Sequence, residues 1–197
     1  MWVRAVTASE RPCWDRGWLS IARAVPSPNF GPRPDGVRPS LLVLHSISLP
    51  PGVFGGPEIE ALFTNCLDCA AHPSFEALRG LEVSAHFLIR RDGGLLQFVS
   101  TDERAWHAGK SVFRGRERCN DFSIGIELEG LEGGAFESRQ YLALGRLLPL
   151  LRERYPLDAV VGHEHIAPGR KADPGPGFDW LRLRRDLGWE AQLFPFV

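Results

Sequence analysis

Two short apolar runs constrain this chain more than any other feature. Leu41-Leu42-Val43-Leu44 stops at His45, and the run Ala159-Val160-Val161, within 158–162, stops at His163. Uninterrupted runs of this length suit strands covered on both faces, as in α/β sheets with helices packed on either side. Each strand ends on an imidazole, and the loops at strand ends are where such sheets gather polar groups. The expectation is therefore an α/β fold with a shared site at the ends of two buried strands.

The remaining elements follow from periodicity and punctuation. Pro57 opens a helix in which Ile59, Leu62, Phe63, Cys66, Leu67 and Ala70 recur at helical offsets. Val83, Ala85, Phe87 and Ile89 alternate with Ser84, His86, Leu88 and Arg90, and Asp92-Gly93-Gly94 turns the chain into a hairpin partner at 95–99. Ile124, Ile126 and Leu128 alternate with Gly125, Glu127 and Glu129, so both carboxylates share the face opposite the aliphatic side chains. Of the two, Glu129 reads as a solvent-face residue. A helix spans 138–155 with Ser138 as N-cap, and Pro149 is expected to kink it or end its first half. A Pro/Gly loop at 164–178 leads to a last helix capped by Asp179. Residues 1–40, punctuated by Pro26, Pro28, Pro32, Pro34 and Pro39, read as an arm packed on one folding unit at 41–197.

Composition excludes several classes of partner. The 197 residues carry 23 basic and 24 acidic side chains, a formal charge of −1, without the clustered basic excess that nucleic acid requires. Arg90-Arg91 and the cluster at 114–118 are local spots. No apolar stretch reaches the ~18 residues needed to span a bilayer. Arg4, Glu10, Arg11, Asp15 and Arg16 interrupt any signal-peptide core, so a cytoplasmic location is expected; separately, a monomer is expected. Cys66-x-x-Cys69, Cys13 and Cys119 read as free thiols, not as a metal site. Only Lys110 and Lys171 among the basic residues are lysines.

Among six histidines, His45 and His163 stand at rigid strand ends, and Asp173 follows His163 in a loop stiffened by Pro168, Pro174 and Pro176. Two imidazoles and a carboxylate form a catalytic type of zinc set with a position left for water. By spacing, His165 competes with His163, because residues two apart in extended backbone point the same way.

Five segments in order, HSISLPPG (45–52), VSAHFLIRRDG (83–93), AWHAG (105–109), RERCNDFSIGIELEG (116–130) and GH through IAPGRKADPGPGFDW (162–180), closely resemble the AmpD-type 1,6-anhydro-N-acetylmuramyl-L-alanine amidases, members of the zinc amidase and peptidoglycan-recognition-like superfamily. The resemblance covers most of the chain. It implies a single domain with a central mixed β-sheet flanked by helices and one Zn2+ per chain on His45, His163 and Asp173. It also implies Glu127 as general base and Lys171 beside the developing negative charge. The implied substrate is an anhydromuropeptide, cut between the lactyl group of anhydromuramic acid and L-alanine.

Four further residues are candidates for substrate. Trp106 and His107 would line a groove through the Trp ring on a sugar face. Arg118 suits a peptide carboxylate, with Asn120 assisting. His86 and His72 read as structural and Arg170 as a solvated loop charge, while Lys110 has no assigned role. Ser46 departs from the group, which commonly has Asn there, and the only tyrosines, Tyr141 and Tyr155, fall in the long helix. Two competing readings remain: a broader lysin-like amidase that cuts intact peptidoglycan, and a peptidoglycan-binding module without catalysis. Occupied ligand positions together with Glu127 and Lys171 speak against the second.

Overall fold

The computed structural model describes residues 12–197, so residues 1–11 of the expected arm lie outside the described residues. Six strands form the central sheet: β1 (Arg23–Ala24), β2 (Leu41–Ile47), β3 (Phe87–Ile89), β4 (Leu95–Gln97), β5 (Ser123–Glu129) and β6 (Ala159–Gly162). Their order is β6-β2-β5-β3-β4-β1. All neighbours pair in parallel except β3 and β4, the two arms of the hairpin. The sheet is thus mixed, as expected. Residues 23–24 of the arm supply its edge strand, and Phe30–Gly31 pairs with Arg104–Ala105.

Alternation along the parallel strands sorts the two faces. Leu42 and Leu44 of β2, Ile124, Ile126 and Leu128 of β5, and Val160 of β6 pack into one cluster with Tyr141, Leu144, Leu147, Leu148 and Leu151 of α2 (Ser138–Arg154) and Leu183 of α4 (Trp180–Leu187). Each such side chain contributes about 1.5–3 kcal/mol when fully buried. Leu41, Val43, Ala159 and Val161 face the other way into a smaller cluster with Phe113, Cys119, Phe122 and Ile166. His45, Gly125, Glu127 and Glu129 share that second face by the same alternation.

Three expectations need correction. The first helix, α1 (Glu58–Phe63), stops well short of Ala70. Asn65 sits in the left-handed region at φ 59°, and the Cys66 and Asn65 amides donate back to the Ala61 and Leu62 carbonyls, at 2.7 and 3.2 Å. This is a Schellman closure. Asn65 is held there by reciprocal amide bonds with Asn29 of the arm, 2.7 and 3.0 Å. Cys66 is exposed and Cys69 half-buried, and all four cysteines are free.

The second correction concerns α2, which runs unbroken through Pro149. Pro costs about 3 kcal/mol in a helix interior, less than the combined burial of Leu144, Leu147, Leu148 and Leu151 contributes. Its N-cap is Glu137 rather than Ser138, with the Glu137 amide donating to Gln140 Oε1 at 2.9 Å. Third, the segment after β6 is not wholly loop, because α3 (His163–Ile166) makes one helical turn. The last helix begins as expected, Asp179 Oδ1 accepting from the Arg182 amide at 2.8 Å.

Candidate metal centre

Parallel pairing decides which side chains meet. Glu127 lies opposite His45 in the β5–β2 register, and Gly162 lies opposite Leu44 in the β6–β2 register, so His163 emerges beside His45. The carboxyl ends of three adjacent parallel strands therefore deliver His45, Glu127 and His163 to one place, as open α/β sheets do. The loop after α3 returns Asp173 to the same point, where the Glu164 amide donates to the Asp173 carbonyl at 2.9 Å.

The result is a compact triangle of donor atoms. His45 Nδ1 lies 3.0 Å from His163 Nδ1, and each is 3.1 Å from Asp173 Oδ2. All three residues are buried. Ligand atoms bound ~2.0–2.1 Å from a tetrahedral zinc stand about 3.3 Å apart, so the spacing fits one such ion. The tautomer fits as well. His163 Nε2 lies 3.1 Å from the Ala108 carbonyl, an acceptor only, so Nε2 carries the proton and Nδ1 points a lone pair at the centre.

Charge is tuned in the same sense. Burial pushes the His45 imidazole down to about 4, against the opposing hydrogen bond to Asp173. Burial also works to raise the Asp173 carboxyl, but the adjoining His163 and His45 outweigh this and hold it well below the usual carboxylate range. An ionised Asp173 thus stands beside a neutral His45, the state in which these groups ligate a cation.

Glu127 is different. Its Oε2 is buried without a hydrogen-bond partner, and desolvation, reinforced by the Asp173 charge and opposed by Lys171, pushes its carboxyl well above the ordinary value. Lys171 has an exposed side chain, and its charge acts on both Glu127 and His45.

The other singled-out residues divide. His165 leaves the cluster: the turn of α3 swings it away, its Nδ1 accepts from the Gly162 amide at 2.9 Å and its ring stacks on Phe196 at 4.4 Å. The extended-backbone argument that made it a rival fails because 163–166 is helical. His107 and Asn120 turn inward. His107 Nδ1 is 2.9 Å from His45 Nε2, and Asn120 Oδ1 accepts from the His107 and Ala108 amides at 3.2 and 2.8 Å. Trp106 is half-buried, while Arg118 is exposed, its Nε 3.3 Å from Asp121.

Two residues read as solvated have larger parts, and so does Arg33, to which the sequence assigns no role. Glu129 is buried, not solvent-facing: it takes Arg90 at 2.7 Å, the Gly55 amide at 2.6 Å and the Arg91 amide at 3.1 Å. Arg170 is no free loop charge, since its guanidinium donates to the Ala108 and Lys110 carbonyls at 2.7 Å each. Arg33, from the proline-rich arm, donates to the carbonyls of Asn120, Asp121, Thr101 and Ser123. Nothing local in the sequence marks these three, because every partner lies far along the chain. Ser46 Oγ is buried without a partner.

Comparison with known proteins agrees with this architecture. Residues 35–176 match the family described as N-acetylmuramoyl-L-alanine amidase. The chain is 59% identical over 172 residues to the 1,6-anhydro-N-acetylmuramyl-L-alanine amidase AmpD of Citrobacter freundii, covering 86% of this chain and 92% of that protein. A crystal structure of a selenomethionine AmpD derivative superposes with a TM-score of 0.87 at 56% identity, over 89% of this chain and 99% of that one. The amidase AmiD of Escherichia coli, solved with anhydro-N-acetylmuramic acid-L-Ala-D-γ-Glu-L-Lys, matches with a TM-score of 0.55 at 31% identity, over 78% of this chain and 60% of that one. With a family match over most of its length and a curated relative of this identity, the chain belongs to the N-acetylmuramoyl-L-alanine amidase family, in its AmpD-type branch.

Proposed function

We propose that this protein is a cytoplasmic, monomeric, zinc-dependent amidase acting on 1,6-anhydromuropeptides in peptidoglycan recycling. It would cleave the amide between the lactyl group of 1,6-anhydro-N-acetylmuramic acid and L-alanine. The observation that carries the reading is the unpartnered buried Oε2 of Glu127 beside three convergent donors. A buried carboxylate oxygen left unpaired costs stability, and such cost is retained where chemistry needs the group. The relatives point to the same bond, since those compared carry that amidase name or were solved with such a ligand.

His45, His163 and Asp173 would hold one Zn2+. Bound there, the ion would supply Lewis-acid chemistry, polarising the amide carbonyl and acidifying a water. Glu127 takes a proton from that water and hands it to the amide nitrogen. The C–O bond forms first and the C–N bond then breaks, leaving a lactyl carboxylate and, with both water protons on nitrogen, an alanine ammonium. Lys171 places an ammonium near the developing oxyanion. Trp106 and Arg118 are the candidates for the sugar and a peptide carboxylate. No helix among the described residues is long and apolar enough to cross a membrane, and net charge near zero speaks against nucleic acid as the main partner.

The test is to strip metal with a chelator, restore zinc, and follow anhydromuropeptide and purified sacculi by mass spectrometry. Zinc-restored release of free peptide from the anhydromuropeptide is the expected result. Cutting of sacculi alone would make the protein lysin-like, and no metal-dependent release from either would leave only a binding module.

A further inference from the structure

We propose that His107 is a positioning residue for the metal centre, fixing the tautomer and ring plane of His45, and that residues 106–109 orient both imidazole ligands at once. This rests on the zinc reading above and deepens it.

Each ligand imidazole turns its Nδ1 to the centre and its Nε2 to the same segment. His163 Nε2 meets the Ala108 carbonyl at 3.1 Å, and His45 Nε2 meets His107 Nδ1 at 2.9 Å. A nitrogen that ligates a cation bears no proton, so His45 must carry its hydrogen on Nε2 and donate it to His107 Nδ1. His107 then carries its own hydrogen on Nε2, which faces Ser123 Oγ at 3.1 Å. The chain from His45 through His107 to Ser123 runs in one direction only when the centre is loaded. Run in reverse, it would place a proton on His45 Nδ1, among the three ligand atoms.

The surroundings are built for this ring. Gly125 lies beneath it, and a Cβ there would collide with the His107 imidazole. His45 and His107 meet edge to face, with centroids 5.0 Å apart. Asn120 pins the backbone of His107 and Ala108 through one oxygen, and Arg170 shares the Ala108 carbonyl. His107 and Asn120 therefore act behind the ligands. Outer partners of ligating histidines typically change metal affinity by about 10–100-fold.

Two measurements test it. In zinc-loaded wild-type protein with 15N-labelled histidine, His45 Nε2 should be protonated and show scalar coupling across the hydrogen bond to His107 Nδ1. A His45 protonated elsewhere, or no coupling, overturns the proposal without any variant having to fold. In chelator competition, His107→Phe should bind zinc about 10–100-fold more weakly, and His107→Asn, whose Oδ1 replaces Nδ1, should recover most of that loss. Wild-type affinity in a folded His107→Phe also overturns it. Failure of the wild-type protein to bind one zinc would instead overturn the metal reading itself.

Discussion

Glu127 and Glu129 leave the same strand on the same face, two residues apart, and both are buried, yet the fold treats them in opposite ways. Glu129 is satisfied: a guanidinium and two backbone amides occupy its oxygens. It ties β5 to the loop after β2 and, through Arg90, to Glu60 of α1 at 3.0 Å. Glu127 stands beside the donor triangle with one oxygen unpartnered, and burial with a neighbouring carboxylate raises its pKa. Burial alone does not separate a structural acid from a reactive one. What separates them is whether the surroundings satisfy the group.

The largest effect that tests this contrast is on catalysis. Glu127→Gln should lower kcat by about 10²–10⁴-fold, the usual contribution of a general acid–base group, while zinc content stays at wild-type level and thermal stability is equal or higher. A fully active variant would remove Glu127 from the reaction and dissolve the comparison. Glu129→Ala should do the reverse. It strips a half-buried Arg90 of its nearest partner, and removing one partner of a buried pair costs about 3–5 kcal/mol, here near the lower end because Arg90 is partly exposed and Glu60 remains. Urea unfolding should report the loss, with kcat per folded molecule unchanged. An unaltered midpoint would mean that Glu129 is no clamp.

Lys171→Met tests the cationic side of the contrast, since Lys171 acts on Glu127. Loss of one preorganised electrostatic group typically costs about 10²–10³-fold in kcat. Stability should not change, and a wild-type kcat would return Lys171 to the solvated surface.

The smallest effect concerns the same strand's response to acid. His86 Nδ1 accepts from the Gly125 amide at 3.0 Å, and burial, aided by Arg33, pushes its imidazole down to about 3. Between that value and its unfolded pKa of ~6.5, the unfolded chain binds a proton that the fold refuses. Stability contributed by neutral His86 is therefore complete above ~6.5 and lost progressively as pH falls toward 3. In metal-free protein, the urea midpoint of His86→Gln should decline less steeply between pH 7 and 4.5 than that of wild type. Parallel slopes would show that His86 does not drive the loss.

Much of the scaffold was legible because its signals are local. Apolar runs marked β2 and β6, alternation marked β5 and its polar face, and Asp179 marked the start of α4. Misreadings arose wherever a distant contact outweighed a local pattern. Asn65, held by Asn29, closes α1 against an amphipathic period that runs on to Ala70. Sheet burial carries α2 through Pro149, and Arg90 draws Glu129 inside. His165 was separated from His163 only by the helical turn that begins at His163.

The sequence alone determined the family, the α/β class and the residue types available for chemistry, because motif order, periodicity and composition are properties of neighbouring residues. Only the tertiary structure decided which side chains share a site and in what state. The β5–β2 register sets Glu127 beside His45, and the return of the 164–178 segment closes the triangle with Asp173. Packing of residues 106–109 behind the imidazoles selects which nitrogen faces inward. Register, burial and hydrogen-bond direction are relations between residues far apart in the chain, so they come into being only when the sheet assembles.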